Sequence, residues 1–184
     1  MKKVYLYSSG GCGTRMFHKW LDSNGFYTND QSAVHRMVFP DTLDKDECMI
    51  YLHGNPVDSV LSFYGKHYSG HTRFLEQHCD NLEVPTVPDD IREYVASKKD
   101  LFGLLDHQFR WLAQLEQYGY REQSMYLDYD SIWEYYPQRM LREQLNFIIN
   151  FPKEQPRSPK PWVTKDILNG LEYIYGRPSS VNYD

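Results

Sequence analysis

Between Val4 and Leu21 the chain reads VYLYSSGGCGTRMFHKWL. Gly10, Gly11 and Gly13 surround Cys12, and Thr14 and Arg15 follow at once. Glycines at a strand-to-helix corner let main-chain N–H groups converge on a ligand with no Cβ in the way, and the helix N-terminus adds a partial positive charge. Thr14 offers a hydroxyl donor, and Arg15 or Lys19 a full charge. The chemistry this predicts is the holding of a phosphate or sulfate group. The same glycines also suit a tight turn that holds nothing, and both readings stand at this point. GGCGTR departs from G-x-x-x-x-G-K-[ST], with no lysine for a nucleoside triphosphate and no evident Walker-B acid at a strand end, which argues against a metal-assisted ATPase or kinase. Cys12 at a helix N-terminus would have an acidified thiol. No His–Asp pair stands beside it in sequence, so it reads as a small packed side chain.

A second corner follows the run CMIYLH (48–53), as Gly54-Asn55-Pro56, with Pro56 suited to the first turn of a helix. A third group, His67, His71, His78 and Cys79, has zinc-like spacing, but Gly70 interrupts the helical face it needs, so no metal site is expected.

The elements that must position these residues are legible from periodicity. Lys3–Ser8, Cys48–His53 and Ser124–Asp128 read as buried strands. Helices are expected over Thr14–Asn24, from Pro56 through Tyr64, over Asp89–Ser97, Leu101–Tyr118 and Pro137–Ile149, and from an N-cap at Thr164 to Tyr175, with Gly176 as the stop. Leu101, Leu104, Leu105, Gln108, Trp111, Leu112 and Leu115 mark the face of the long helix. Gly65–Pro88 reads as a lid or long excursion, and 151–161 as an irregular proline-rich stretch. Strands alternating with helices predict an α/β fold, three-layer α/β/α with a mainly parallel sheet. Ligands in such sheets sit at the carboxyl ends of the strands, where both glycine corners fall.

At 184 residues the chain suits a single domain, with a core over 1–152 and a C-terminal extension over 153–184. A net charge of −5 argues against a general nucleic-acid binder, whereas residues 1–40 carry five Lys or Arg against two Asp, so an anionic ligand would prefer that end. Three cysteines without a C-x-x-C, and a charged start that runs into a strand, predict a cytoplasmic, reducing setting. No apolar run reaches the roughly 20 residues that span a bilayer.

With the second corner a family pattern emerges. YLHGNPVDSVLSFYGKH resembles the 3′-phosphate segment of the sulfotransferases, in which Asn55, Pro56, Asp58, Ser62 and Tyr64 match in type and spacing. Cys12-Gly13-Thr14 resembles the Ser-Gly-Thr of that family's 5′-phosphosulfate loop. MYLDYDSIWEYYPQRMLREQLNFIINFP resembles its late strand and helix, and Trp111 has a counterpart there. The resemblance covers about residues 1–152. Two basic positions of the family fall on glycines, Gly11 in the first loop and Gly54 in the second. A phosphate-closing basic loop would lie near Arg157 and Lys160, although Ser158, Pro159 and Pro161 do not reproduce its pattern.

The resemblance implies a P-loop NTPase-like fold and transfer of a sulfuryl group from 3′-phosphoadenosine 5′-phosphosulfate (PAPS) to a hydroxyl or amine of a small-molecule or carbohydrate acceptor. Ser8, Ser9, Gly10, Gly11, Cys12, Gly13, Thr14 and Arg15 would meet the 5′ end, and Ser62, with His53, the 3′-phosphate. The base would lie on GFYTNDQSAVHRMVFPD: His35 first, for its unperturbed pKa near ~6.5, and Asp41 second, each equally readable as a surface loop residue. A kinase with a degenerate P-loop and a non-catalytic binding module are the alternatives.

Overall fold

The computed structural model describes residues 3–30, 33–145 and 157–183. The chain forms two compact units, one built from residues 1–54 and 108–154, the other from 55–107 and 155–184.

The first unit is a parallel α/β layer structure. Strands β1 (Lys3–Tyr7), β2 (Tyr27–Thr28), β3 (Cys48–His53) and β4 (Ser124–Asp128) form a sheet of order β2-β1-β3-β4, with every neighbouring pair parallel. Side chains alternate across the strands. Val4, Leu6, Ile50, Leu52, Met125 and Leu127 pack with Phe17, Trp20 and Leu21 of α1 (Thr14–Ser23) and Leu141 and Leu145 of α6 (Tyr135–Leu145). Tyr7, Met49 and Tyr51 pack on the other face with Trp111 and Leu115 of α5 (Leu104–Tyr118). Helices on both faces explain why the strands read as continuous apolar runs. Strand β2 had no sequence signal. It is two residues long, and one of them is exposed.

The second unit is helical: α2 (Pro56–Tyr68), α3 (Phe74–Leu82), α4 (Ile91–Ala96), the first turn of α5, and α7 (Lys165–Tyr175). Its core gathers Val60, Phe63, Tyr64, Leu75, Tyr94, Phe102, Ile167 and Leu171. At Gly170 an added Cβ would meet Val95 Cγ1 at 2.0 Å, so α7 lies against α4 only because this residue has no side chain. The region expected as an open excursion from Gly65 instead holds the end of α2 and all of α3. On α5, Leu104, Trp111 and Leu115 are buried while Leu105 and Leu112 are exposed, a narrower stripe than the sequence suggests. The end of the Pro137–Ile149 helix and residues 151–156 of the proline-rich stretch lie outside the described residues.

Candidate functional site

After β1 the chain goes to one side for β2 and then crosses back for β3, so the order reverses between the carboxyl ends of β1 and β3. In open parallel sheets that reversal opens a crevice where ligands bind. The loop Ser8–Gly13 leaves β1 at this edge and feeds straight into α1.

Internal bonds shape the loop. Ser8 Oγ accepts from the Gly10 N–H at 2.9 Å and from the Thr14 hydroxyl at 2.9 Å. Cys12 Sγ lies 3.1 Å from Ser8 Oγ and donates to the Leu52 carbonyl at 3.4 Å. Ser8, Ser9, Cys12 and Thr14 are buried. The Ser8 and Thr14 hydroxyls are therefore spent on one another and fix the loop's curvature, which differs from the ligand-donating role expected of them. Cys12 is a packed side chain, as its neighbours in sequence suggest. Ser9 hydrogen-bonds the Tyr51 phenol, whose burial pushes its pKa far above the usual range, so it stays protonated.

Main-chain donors remain. Gly10, Gly11 and Gly13 have φ of +91°, +72° and +74°, while Cys12 has negative φ. The sign of φ alternates over Gly11-Cys12-Gly13, as it does in backbone nests that bind anions. Helix α1 has Gly13 as its N-cap, no side-chain cap and no acid in its first turn. Among the described residues, the N–H groups of Gly11, Gly13, Thr14, Arg15 and Met16 meet no acceptor. Orphan donors of this kind are the ones a helix end offers to a ligand or to water.

One wall of the loop escaped the sequence reading. A Cβ at Gly13 would meet Tyr129 Cε2 at 2.1 Å. Tyr129 directly follows β4, and its N–H donates to the His53 carbonyl at 2.7 Å, which ties it to the same sheet edge. Its place one residue past a strand end was the available signal.

The candidate bases separate. The Ser8 N–H donates to the Val34 carbonyl at 3.0 Å, and His35 Nδ1 lies 2.8 Å from the Ser8 carbonyl oxygen. A carbonyl only accepts, so Nδ1 is the donor, and in the neutral ring Nε2 keeps the lone pair that a general base requires. Asp41 lies at the opposite edge. The adjacent Pro40 carbonyl accepts from the Tyr120 hydroxyl at 3.1 Å, just ahead of the 3-10 turn Arg121–Gln123 that enters β4. The structure thus brings His35 to the loop and leaves Asp41 at the amino ends of the strands, away from any chemistry there.

His53 ends β3 at the carboxyl edge, its ring stacked on Tyr126 with centroids 4.2 Å apart. Arg15, Lys19 and Arg36 are exposed, and none takes part in a salt bridge among the described residues. They supply positive charge around the loop that its glycines lack.

Ser62 belongs to the second unit, half-buried one turn beyond Asp58 on α2. There the N-terminus of α2 is closed by the protein itself. Asn55 Oδ1 caps the Val57 N–H at 3.0 Å, and Asn55 Nδ2 donates to the Pro178 carbonyl at 2.6 Å. The buried Asp58 carboxylate accepts from Arg157 at 2.7 Å, from the Ser180 N–H at 3.1 Å, and from both the Ser179 and Ser180 hydroxyls. Arg157 is therefore an ion-pair partner of Asp58. Lys160 lies over Gly65, and burial lowers its pKa. His78 stacks on Phe74 and meets Phe63 at a tilt, and His67 faces Asp89. Among the described residues no three His, Cys, Asp or Glu side chains gather as a metal site, and no helix is long and apolar enough to cross a membrane.

The chain matches no family model, and no curated protein or solved structure is significantly similar to it.

Proposed function

We propose that the β1–α1 loop is an oxyanion site and that the protein is sulfotransferase-like, taking the phosphosulfate end of PAPS in that loop. The observation that carries this reading is the run of unengaged amides at Gly11, Gly13, Thr14 and Arg15, set at the reversal point of a parallel sheet. The P-loop-like topology belongs to the same proposal.

In the reaction, Nε2 of His35 takes the proton of the acceptor hydroxyl or amine. The acceptor atom attacks sulfur in line, and the S–O bond to the 5′-phosphate breaks. The amides then stabilise the charge gathering on the departing phosphate. No residue in this scheme needs a metal. The missing lysine is offset only by exposed cations, which predicts modest affinity that weakens with salt.

Calorimetry with adenosine 3′,5′-bisphosphate, ATP–Mg²⁺ and sulfate in parallel tests the reading. Binding of the bisphosphate, weakened by Gly13→Ala, is the expected result. Binding of ATP–Mg²⁺ alone would point instead to a kinase. Silence from all three would leave a fold that holds no such anion, and the proposal would fall.

A further inference from the structure

The proposed base depends on a residue that touches neither loop nor ligand. Strand β2 pairs with β1 for only two residues, Tyr27 opposite Lys3 and Thr28 opposite Val4. The next residue, Asn29, continues the ladder with its side chain. Leu6 N–H donates to Asn29 Oδ1 at 2.7 Å, and Asn29 Nδ2 donates to the Leu6 carbonyl at 2.9 Å. A side-chain amide here does the work of a peptide group, so β1 keeps both bonds while the main chain turns away. The departing backbone is held in turn: the Asn29 carbonyl accepts from His18 Nε2 at 2.9 Å. Ala33 N–H donates to the Asp30 carbonyl at 2.8 Å, and the chain next meets Ser8, just past the end of β1. There Ser8 N–H meets the Val34 carbonyl and His35 Nδ1 meets the Ser8 carbonyl.

Asn29 is thus tied to Leu6 of β1, and Val34 and His35 to Ser8, just past the end of β1. We infer that Asn29 is a positioning residue for His35: its amide fixes where the segment leaves β1, and so holds the imidazole on the Ser8 carbonyl in the Nδ1–H form. This rests on the reading of His35 as base. Only asparagine meets the geometry with both a donor and an acceptor at this length. Aspartate keeps the acceptor and loses the donor, and alanine loses both.

The test reads the His35 tautomer by long-range ¹H–¹⁵N correlation on the full chain near neutral pH, with no ligand added. Wild type should show the Nδ1–H form. In Asn29→Ala the ratio of Nδ1–H to Nε2–H should fall about tenfold, the effect of losing about one net hydrogen bond. Asn29→Asp, closest in shape, should fall between the two. It decides the matter alone if the alanine variant fails to fold. A folded variant that keeps the wild-type ratio overturns the inference. Because no anion or turnover is involved, such a failure would leave the oxyanion proposal untouched. A wild-type protein that binds no bisphosphate would sink that proposal while leaving the tautomer result in place. Where turnover is measurable, Asn29→Asp should lower kcat and shift the basic limb of its pH profile while KM for the donor holds, which a loss of stability alone would not do.

Discussion

The two strand-to-helix corners look alike as sequence and end differently. At the start of α1, Gly13 caps with nothing, the first turn has no acid, and the main-chain donors meet no acceptor among the described residues. At the start of α2, Asn55 supplies the cap and Asp58 supplies the negative charge, and the C-terminal segment completes the closure through Pro178, Ser179 and Ser180. A helix N-terminus attracts one anion. In α2 that anion is the protein's own carboxylate, neutralised by Arg157. In α1 no side chain of the described residues takes that place. The Asn-Pro-x-Asp likeness at the second corner therefore has a structural cause of its own, and the oxyanion proposal leans on the first.

The largest expected effect sharpens this contrast through stability. Tyr7 and Tyr51 in the first unit, and Tyr64, Tyr94 and Tyr175 in the second, all have phenol pKa values raised, chiefly by burial. An acid whose folded pKa lies above its unfolded value keeps its proton longer when folded. Stability is then full below pH ~10 and falls as pH rises past the unfolded value. Lys160 has the opposite sign: its pKa is lowered, so it costs stability at neutral pH and returns it on approach to its unfolded value of 10.5. Five phenols outweigh one lysine, and Tm should drop steeply above pH ~10 together with the rise of tyrosinate absorbance. A flat Tm through that range would contradict the burial described.

Next comes Asp58→Ala. It removes the ion-pair partner of Arg157 and the acceptor of three donors in the C-terminal segment, and breaking a buried pair costs about 3–5 kcal/mol. Chemical denaturation should show a loss of that size, and amide exchange should show residues 177–183 released. Bisphosphate or sulfate binding at the first corner should persist in whatever fraction stays folded. If anion affinity vanishes while the fold holds, the second corner matters to the ligand and the contrast drawn here fails.

Gly13→Ala attacks the other corner. The new Cβ meets the Tyr129 ring, and the position has φ of +74°. Overpacking and left-handed strain together should cost about 2–4 kcal/mol. Gly25→Ala is the control, with φ of +80° and nothing within 4 Å, so strain alone should cost about 1 kcal/mol. Equal costs for the two would mean that Tyr129 does not wall the loop.

Much of this was legible in the residues, for reasons that can be named. Strands β3 and β4 and helix α7 follow from apolar runs bounded by Pro, Gly or a Thr cap, all local signals. The loop was legible because glycines with positive φ are hard to replace. Strand β2 was not, since two residues carry no period and its continuation is the side chain of Asn29. Nor was the inward turn of the Ser8 and Thr14 hydroxyls, because a hydroxyl in a glycine loop suits a ligand or a neighbour equally well. His35 and Asp41 were indistinguishable on one segment, and only the path of residues 33–41 from one sheet edge to the other parts them. The role of Asp58 hung on a partner 99 positions away, Arg157, which no local pattern reveals.

The smallest effect asks whether exposed charge replaces the missing lysine. Arg15 follows the open amides on α1, and Arg36 follows His35. Both are exposed, so each attraction to a bound anion is screened by water and salt and should be worth about 0.2–1 kcal/mol. Arg15→Gln and Arg36→Gln should each weaken bisphosphate binding by about two- to fivefold in dilute buffer, with Tm unchanged, because neither guanidinium holds a partner among the described residues. The double variant should lose roughly the product of the two, and its affinity should depend less on salt than that of wild type. Lys66 in the last turn of α2 is a matched control: it is exposed too, but at the far end of the closed helix. If Lys66→Gln cost as much as Arg15→Gln, the attraction would belong to the whole molecule's field and not to the open corner.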